Sequence, residues 1–200
     1  MSDEIVFYTN PRSRGLIAAW MLEELGAPYR TEVLEFDTTM KGPDYLRVNP
    51  MGKVPAIRHR GQVVTEAAAI CLYLADAFPE AGLLPAPEHR APYFRWTVFA
   101  AGPFEQATTN AALGVTVAPE QRRMMGYGAG VEQVLDALET ALDGDYIAGP
   151  TFSAADVYVG AQLGWQLQFG LAPARPAFTA YVERLSRRPA FQRTLGQVKG

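Results

Sequence analysis

Residues 49–57, Asn-Pro-Met-Gly-Lys-Val-Pro-Ala-Ile, together with Thr-Glu-Ala-Ala-Ala-Ile at 65–70, decide how the first half of this chain folds. Asn-Pro-Met-Gly is a turn signal, and Val54 and Ile57 favour a strand directly after it. Pro55 lacks an N–H and has a fixed φ, so it can open a strand but cannot lie inside a paired central one. The backbone of Val54 is then free to pair outward, and such an edge can bind an extended peptide by strand addition.

Glu66 stands at the start of an apolar helix, ten residues after this edge begins to form. The free N–H groups of a helix N-terminus attract a carboxylate, whereas the glutamate side chain suits an ammonium group. A peptide-binding edge beside groups that suit both ends of an α-amino acid predicts a small γ-linked peptide as the ligand.

These motifs resemble the glutathione-binding half of the cytosolic glutathione transferases. The resemblance implies that Pro55 is a cis-proline and that Val54 pairs with the cysteinyl backbone of glutathione. It also implies that Glu66 and the backbone N–H of Ala67 hold the γ-glutamyl group. The family usually has a serine where this chain has Ala67, so one hydroxyl contact is missing.

Two lysines, Lys41 and Lys53, are candidates for the glycyl carboxylate of glutathione, although an isolated lysine is more often simply solvated. The resemblance further implies that glutathione is a co-substrate and that the chain forms a homodimer.

Composition narrows the class of protein. The chain has 200 residues, of which 48% are hydrophobic and 20% charged, as in ordinary soluble proteins. A net charge of −3 argues against a nucleic-acid partner. No apolar run approaches the ~18 residues of a membrane span, the first four residues are unlike a signal peptide, and a single cysteine excludes an intrachain disulfide. We therefore expect a cytoplasmic protein that does not enter membranes.

The first half predicts a βαβ unit followed by a ββα unit, and the resemblance implies that these units form a thioredoxin-like α/β domain with a mixed sheet over residues 1–78. Hydrophobic periodicity and turn signals place its elements as follows: strands at 5–8, 29–34, 54–57 and 62–64, and helices at 13–25 and 66–78.

Prolines and a glycine mark residues 79–87 as a linker, and strand signals nearly vanish beyond it. Residues 88–200 are therefore predicted to form an all-α helical bundle domain. Its helices are expected at 88–114, with a kink at Gly102-Pro103, and at 119–142, 154–169 and 174–188. Asp156 follows Ser153 by three residues, which is typical of a helix cap, and capping explains Asp156 better than catalysis does.

The sequence offers no metal centre, because His59 and His89 lie far apart and no cluster has the spacing of metal ligands. Cys71 lies in an apolar helix and is expected to be a buried hydrophobic residue.

The turn after the first strand is where the resemblance places the group that stabilises the glutathione thiolate. Lowering a thiol pKa from about 8.5 to about 6.5 requires about 2.7 kcal/mol, which one charged hydrogen bond can supply. Ser13 is the best candidate, with Asn10, Arg14 and Tyr8 as rivals. The serine of theta-type members aligns with Asn10, and the cysteine of beta-type members falls near Arg14 and is absent. Ser13 is explained equally well as a helix cap.

Tyr8 and three aromatic residues of the second half are expected to line an apolar pocket for an electrophile: Phe99, Phe104 and Trp165. The resemblance therefore implies an enzyme that adds glutathione to small electrophilic, partly apolar molecules. A non-catalytic binding or interaction protein, or a glutathione-dependent isomerase or dehalogenase, would use the same residues.

Overall fold

A computed structural model of the chain describes residues 3–128 and 130–197. They divide into two compact units, one formed by residues 3–84 with 189–197 and the other by residues 85–188. The outer ends of the two predicted domains, residues 1–2 and 198–200, and residue 129 lie outside the described part.

The first unit contains a four-stranded sheet in the order β2-β1-β3-β4. The sheet is mixed, as predicted, because β1 pairs with β2 in parallel and β3 is antiparallel to both β1 and β4. The strands and helices of this unit are β1 Ile5–Thr9, α1 Gly15–Leu25, β2 Tyr29–Val33, α2 Pro43–Leu46, β3 Ala56–His59, β4 Gln62–Thr65 and α3 Ala67–Ala77.

Helices α1 and α3 pack against each other and carry much of the core of this unit. Ile17, Trp20 and Met21 of α1 and Ile70 and Leu74 of α3 have no exposed surface. Helix α1 ends at Gly26, whose φ of +71° is easily adopted only by glycine. The two helices therefore hold the sheet that positions the candidate site.

The last described helix returns to the first unit, although the sequence placed it in the helical domain. This helix, α9, spans Pro189–Arg193. The ring of Phe191 meets that of Trp20 edge-on at 5.0 Å between centroids, and Arg193 Nε lies 2.7 Å from Glu23 Oε2. An aromatic contact and an ion pair between residues so far apart leave no local signal in the sequence.

The second unit is helical, as predicted. Its helices are α4 Arg90–Phe99, α5 Glu105–Ala112, α6 Val131–Thr140, α7 Ala154–Gln168 and α8 Pro176–Ser186. The expected kink between the first two is a π-helical segment, Ala100–Phe104. Pro103 lies within it and has no N–H to donate to the helix ladder, which accounts for the irregularity.

The predicted helix over residues 119–142 is wrong in its first half. Pro119–Met124 forms a 3₁₀ helix, and α6 begins only at Val131. The cause is glycine, because Gly128 has a φ of +71° and Gly130 a φ of +157°, neither of which continues a helix.

The predicted cap at the start of α7 is confirmed. Asp156 is fully buried, and one carboxylate oxygen accepts bonds from the backbone N–H and the hydroxyl of Ser153, each at 2.9 Å. The other accepts bonds from the N–H of Ile147 at 2.9 Å and the hydroxyl of Tyr181 at 2.8 Å. Burial raises the pKa of Asp156, and these bonds oppose that shift. The aspartate therefore joins three parts of the unit and is a structural residue.

Across the described residues, no helix combines the length and apolar character needed to cross a membrane.

Candidate active site

A cleft of about 420 Å³ opens in the first unit between the turn after β1 and the loop before β3. Its walls contain five of the residues predicted from the sequence: Ser13, Arg14, Lys41, Lys53 and Val54. The remaining walls are formed by Arg12, Phe36, Asp37, Met40 and Gly52. Residues as far apart in the sequence as Arg12 and Val54 therefore meet at one site.

Two side chains hold the loop before β3 through the same backbone carbonyl. The carbonyl oxygen of Lys53 accepts bonds from the hydroxyl of Tyr45 at 2.6 Å and from Nδ2 of Asn49 at 2.8 Å. The Val54–Pro55 peptide bond is cis, as the resemblance implied. Val54 lies two residues before β3, so the sheet ladder does not use its backbone groups.

Basic side chains surround this loop. Lys41 Nζ donates to the carbonyl oxygen of Gly52 at 2.7 Å and to that of Met51 at 3.3 Å, so this ammonium group helps to fix the loop. The cleft contains four basic side chains, the two lysines with Arg12 and Arg14, and one carboxylate, that of Asp37. Such an excess of positive charge attracts an anionic ligand.

Glu66 reaches the same end of the sheet through strand register. Ala56 pairs with Thr65 across the β3–β4 hairpin, so Pro55 and Glu66 flank one pair of residues. Glu66 is exposed and is not among the residues that line the cleft. Its φ of +66° and ψ of 120° are uncommon for a residue with a side chain. Backbone strain of this kind costs about 1–3 kcal/mol and clusters at ligand sites.

Ala67 begins α3 directly after Glu66 and is buried. At a helix N-terminus the first backbone N–H groups have no partner within the helix. The side chain of Ala67 is a methyl group and cannot donate a hydrogen bond. At this position a carboxylate can therefore be met only by the backbone N–H.

Asn10 has a structural role in the turn after β1. It is 1% exposed; its Nδ2 donates to the carbonyl oxygen of Leu34 at 2.8 Å, and its Oδ1 accepts from the N–H of Arg12 at 3.0 Å. The amide therefore fastens the turn to the segment that follows β2.

Ser13 lines the cleft and also caps the start of α1. Its Oγ accepts a bond from the N–H of Gly15 at 3.0 Å and donates to the carbonyl oxygen of Asn10 at 2.6 Å. A serine hydroxyl carries one proton. In this conformation the hydroxyl donates that proton in the hydrogen bond to the carbonyl oxygen of Asn10. Ser13 can therefore donate to another group only after its hydroxyl turns.

The four residues predicted for an electrophile pocket are not among the residues that line this cleft. Tyr8 lies outside the cleft and packs against Tyr45, with ring centroids 5.5 Å apart. Phe104 has no exposed surface and belongs to the core of the second unit. Phe99 packs edge-on against Trp96 at 5.2 Å, and Trp165 is half-buried in α7. A role for Tyr8, Phe99 and Trp165 in an electrophile pocket stays a prediction, whereas the complete burial of Phe104 leaves it no surface for a ligand.

The sequence-based site prediction missed five residues of the cleft: Arg12, Phe36, Asp37, Met40 and Gly52. The guanidinium of Arg12 lies over the ring of Phe36, 5.8 Å from its centroid, and Asp37 has a φ of +60°. Phe36, a large aromatic residue in an otherwise polar segment, is the feature of the sequence that could have indicated this part of the cleft.

Cys71 is completely buried, and burial raises the pKa of its thiol, so it is not a reactive cysteine. Within residues 3–128 and 130–197, no group of three or more His, Cys, Asp or Glu side chains is arranged to hold a metal ion.

Comparison with known proteins defines the class. Residues 15–77 match the N-terminal domain model of glutathione S-transferases, and residues 127–189 match the C-terminal domain model. The chain belongs to the glutathione S-transferase family.

Individual relatives are similar over most of their length. Glutathione S-transferase GstA of Escherichia coli is 31% identical over 159 residues, which is 77% of this chain and 78% of that protein. The structure of a sphingomonad glutathione S-transferase complexed with glutathione is 32% identical, with a TM-score of 0.76, and the match covers 96% of this chain and 97% of that one. A glutathione transferase from Methylococcus capsulatus is 31% identical, with a TM-score of 0.76 and coverage of 94% and 96%.

The bonds of Asn10 predict a stability defect for Asn10→Ala. This change leaves the carbonyl of Leu34 and the N–H of Arg12 without their partner and should lower the free energy of unfolding by about 1–3 kcal/mol. Urea denaturation measures the effect. Asn110→Ala is a matched control, because the side chain of Asn110 is only partly buried and donates to a tyrosine hydroxyl. Unchanged stability with lost activity would instead give Asn10 a direct role in the reaction.

Proposed function

We propose that this protein is an enzyme that adds the thiolate of glutathione to small electrophilic, partly apolar molecules. The observation that carries the proposal is the cleft in which Val54, with its backbone outside the sheet ladder, lies among four basic side chains. An extended peptide that carries two carboxylates suits such a surface. The glutathione complex of the sphingomonad relative supports the same ligand.

Each part of glutathione has a candidate partner. The backbone of Val54 pairs with the cysteinyl residue, and the ammonium of Lys41 or Lys53 meets the glycyl carboxylate. Glu66 pairs with the γ-glutamyl ammonium, while the backbone N–H of Ala67 meets the carboxylate of the same residue. The uncommon backbone conformation of Glu66 supports this assignment.

Ser13 holds the thiolate in this proposal, with its hydroxyl turned from the carbonyl of Asn10 toward the sulfur. The guanidinium groups of Arg12 and Arg14 in the same cleft favour the charged form of the thiol. The thiolate then attacks the electrophilic carbon and a C–S bond forms, while the electron pair of the broken bond leaves with the departing group or moves along a conjugated system.

A second candidate is a glutathione-binding protein without turnover. Two observations favour it. The hydroxyl of Ser13 already donates its proton to the carbonyl oxygen of Asn10, and the turn after β1 contains no cysteine. An isomerase or dehalogenase would use the same cleft. Calorimetric titration with glutathione, followed by a panel of electrophiles, separates these functions: binding without conversion of any electrophile favours the second candidate.

Glu66→Gln tests the γ-glutamyl contact. Loss of a charge-assisted bond of about 1.5–3 kcal/mol should raise the Kd for glutathione by about 10- to 150-fold, while the fold stays intact because Glu66 is exposed. Titration calorimetry measures the Kd, and Glu80→Gln, another exposed glutamate of the same unit, is the matched control. Equal Kd values for wild type and Glu66→Gln would refute the binding role.

Ser13→Ala tests the thiolate contact. Without the hydroxyl, the pKa of bound glutathione should rise by about one to two units, whereas the Kd should change little because the peptide contacts lie elsewhere. Thiolate absorbance as a function of pH measures the shift, and Ser13→Thr should restore the wild-type curve because it keeps a hydroxyl. A Ser13→Ala curve that overlays the wild type would leave Ser13 as a cap only.

We further propose a cytoplasmic homodimer. Phe94 and Val98 lie four residues apart on α4, hence on one face, and are 48% and 62% exposed, which suits an interface. Light scattering at micromolar concentration should give twice the 21.9 kDa of one chain, and Val98→Asp should shift the mass toward the monomer. A wild-type mass of one chain would contradict the dimer.

A further inference from the structure

The first unit contains a second cavity, of about 560 Å³, at the other end of the sheet from the cleft. The cleft lies beyond the end of β1, whereas this cavity is bordered by residues at the starts of β1 and β2 and at the end of β3. The residues proposed to bind glutathione are not part of its walls. Its volume is in the range of small-molecule sites.

His59, the last residue of β3, lines this cavity and is 1% exposed. Its Nδ1 lies 2.9 Å from the hydroxyl of Tyr73, and its ring stacks on that of Phe78 with centroids 5.1 Å apart. Its Nε2 is buried, and within the described part of the chain it has no hydrogen-bond partner. Buried polar atoms are nearly always paired, so an unpaired one calls for an explanation.

The two nitrogens of the His59 ring differ in whether a ligand can use them. The two imidazole nitrogens lie on different edges, and the edge with Nδ1 is turned toward Tyr73, which is not part of the cavity wall. Because Nδ1 is held by Tyr73, Nε2 is the ring nitrogen of His59 that is left for a ligand of this cavity. Nε2 is itself buried, so side chains at the cavity wall, of which half-buried Phe78 is one, must move for a ligand to reach it.

The remaining walls are largely apolar: Ile5, Ala27, Pro28, Tyr29 and Phe78. The hydroxyl of Tyr29 already donates to Glu23 at 2.9 Å, so this side chain presents its ring. One hydrogen-bonding atom within an apolar wall selects a ligand with a single polar group.

Charge at the rim disfavours an acidic ligand. Two carboxylates, Asp3 and Glu4, and one guanidinium, Arg60, border the cavity, and Arg60 is bound to Asp3 at 2.8 Å. Burial lowers the pKa of His59, so the imidazole is neutral at physiological pH. Its Nε2 is then a donor or an acceptor according to the tautomer. A hydroxyl group suits both cases, because it can accept or donate.

We propose that this cavity binds a small, neutral aromatic molecule with one hydroxyl group, a phenol, with the hydroxyl bonded to Nε2 of His59. The aromatic ring of the ligand packs against Phe78 and Tyr29. This site is separate from the cleft and does not depend on the transferase reaction.

The test is imidazole nitrogen NMR on the full chain, titrated with 4-methylphenol and, in parallel, with toluene. The chain has two histidines, so His89→Gln leaves only the signals of His59. We expect 4-methylphenol to shift the Nε2 signal and to bind about two- to tenfold more tightly than toluene, which is the effect of one neutral hydrogen bond. No shift at millimolar 4-methylphenol, or the same shift and affinity with toluene, would overturn the proposal.

Two variants make the assignment specific. His59→Phe keeps a flat ring without Nε2, and ligand-observed NMR should then show equal affinities for 4-methylphenol and toluene. If this variant does not fold, Ala27→Leu, which fills the cavity from its wall, should abolish binding of both. Glutathione should not displace 4-methylphenol; displacement would place the phenol in the cleft and contradict the proposal.

Discussion

The geometry of the candidate active site depends on the two hydrogen bonds to the carbonyl of Lys53. Tyr45 and Asn49 both donate to this oxygen, and both are buried. Burial raises the pKa of Tyr45 to about 12, so its hydroxyl keeps its proton and remains a donor at neutral pH. Because the acceptor is a backbone atom, these bonds fix the direction of the chain into Val54 whatever side chain stands at position 53.

The pairing at the end of the β3–β4 hairpin determines the position of Glu66 relative to this loop. The pairing of Ala56 with Thr65 sets where the chain leaves the sheet, and α3 must begin at Ala67 to bury its apolar face. The single residue between them takes a conformation with a φ of +66°. Glu66 is thus the single residue that carries the chain from β4 into α3, and the surrounding structure holds it in this uncommon conformation.

Local signals in the sequence were sufficient for most of the fold. Pro55 and Gly26 mark the start of a strand and the end of a helix, and periodicity together with the family resemblance gave the order of strands and helices in the first unit. The errors came from signals that depend on one backbone angle or on distant contacts. Gly128 and Gly130 prevent a helix that the flanking residues favour, and α9 leaves the helical unit because of Trp20 and Glu23.

The candidate site was predictable in part for the same reason. Lys53 and Val54 belong to a motif with a recognisable turn, and Lys41 and Ser13 were candidates for the same ligand, so the meeting of these residues was expected. The bond from Asn10 to Leu34 joins residues 24 positions apart, and no pattern near Asn10 indicates it. Periodicity places Tyr8 on a strand but does not determine which groove its ring enters, and it cannot separate Phe104, a core residue, from an aromatic residue at a surface.

The return of α9 to the first unit bears on the order in which this protein can fold during synthesis. The ion pair between Glu23 and Arg193 joins residues 170 positions apart, and the whole second unit lies between them in the chain. A ribosome that has released the first 84 residues has supplied the sheet and the cleft but not the aromatic partner of Trp20. One side of α1 therefore stays uncovered until the second unit and α9 have been synthesised. For the same reason, the first unit is not an independent module that can be cut out at the linker.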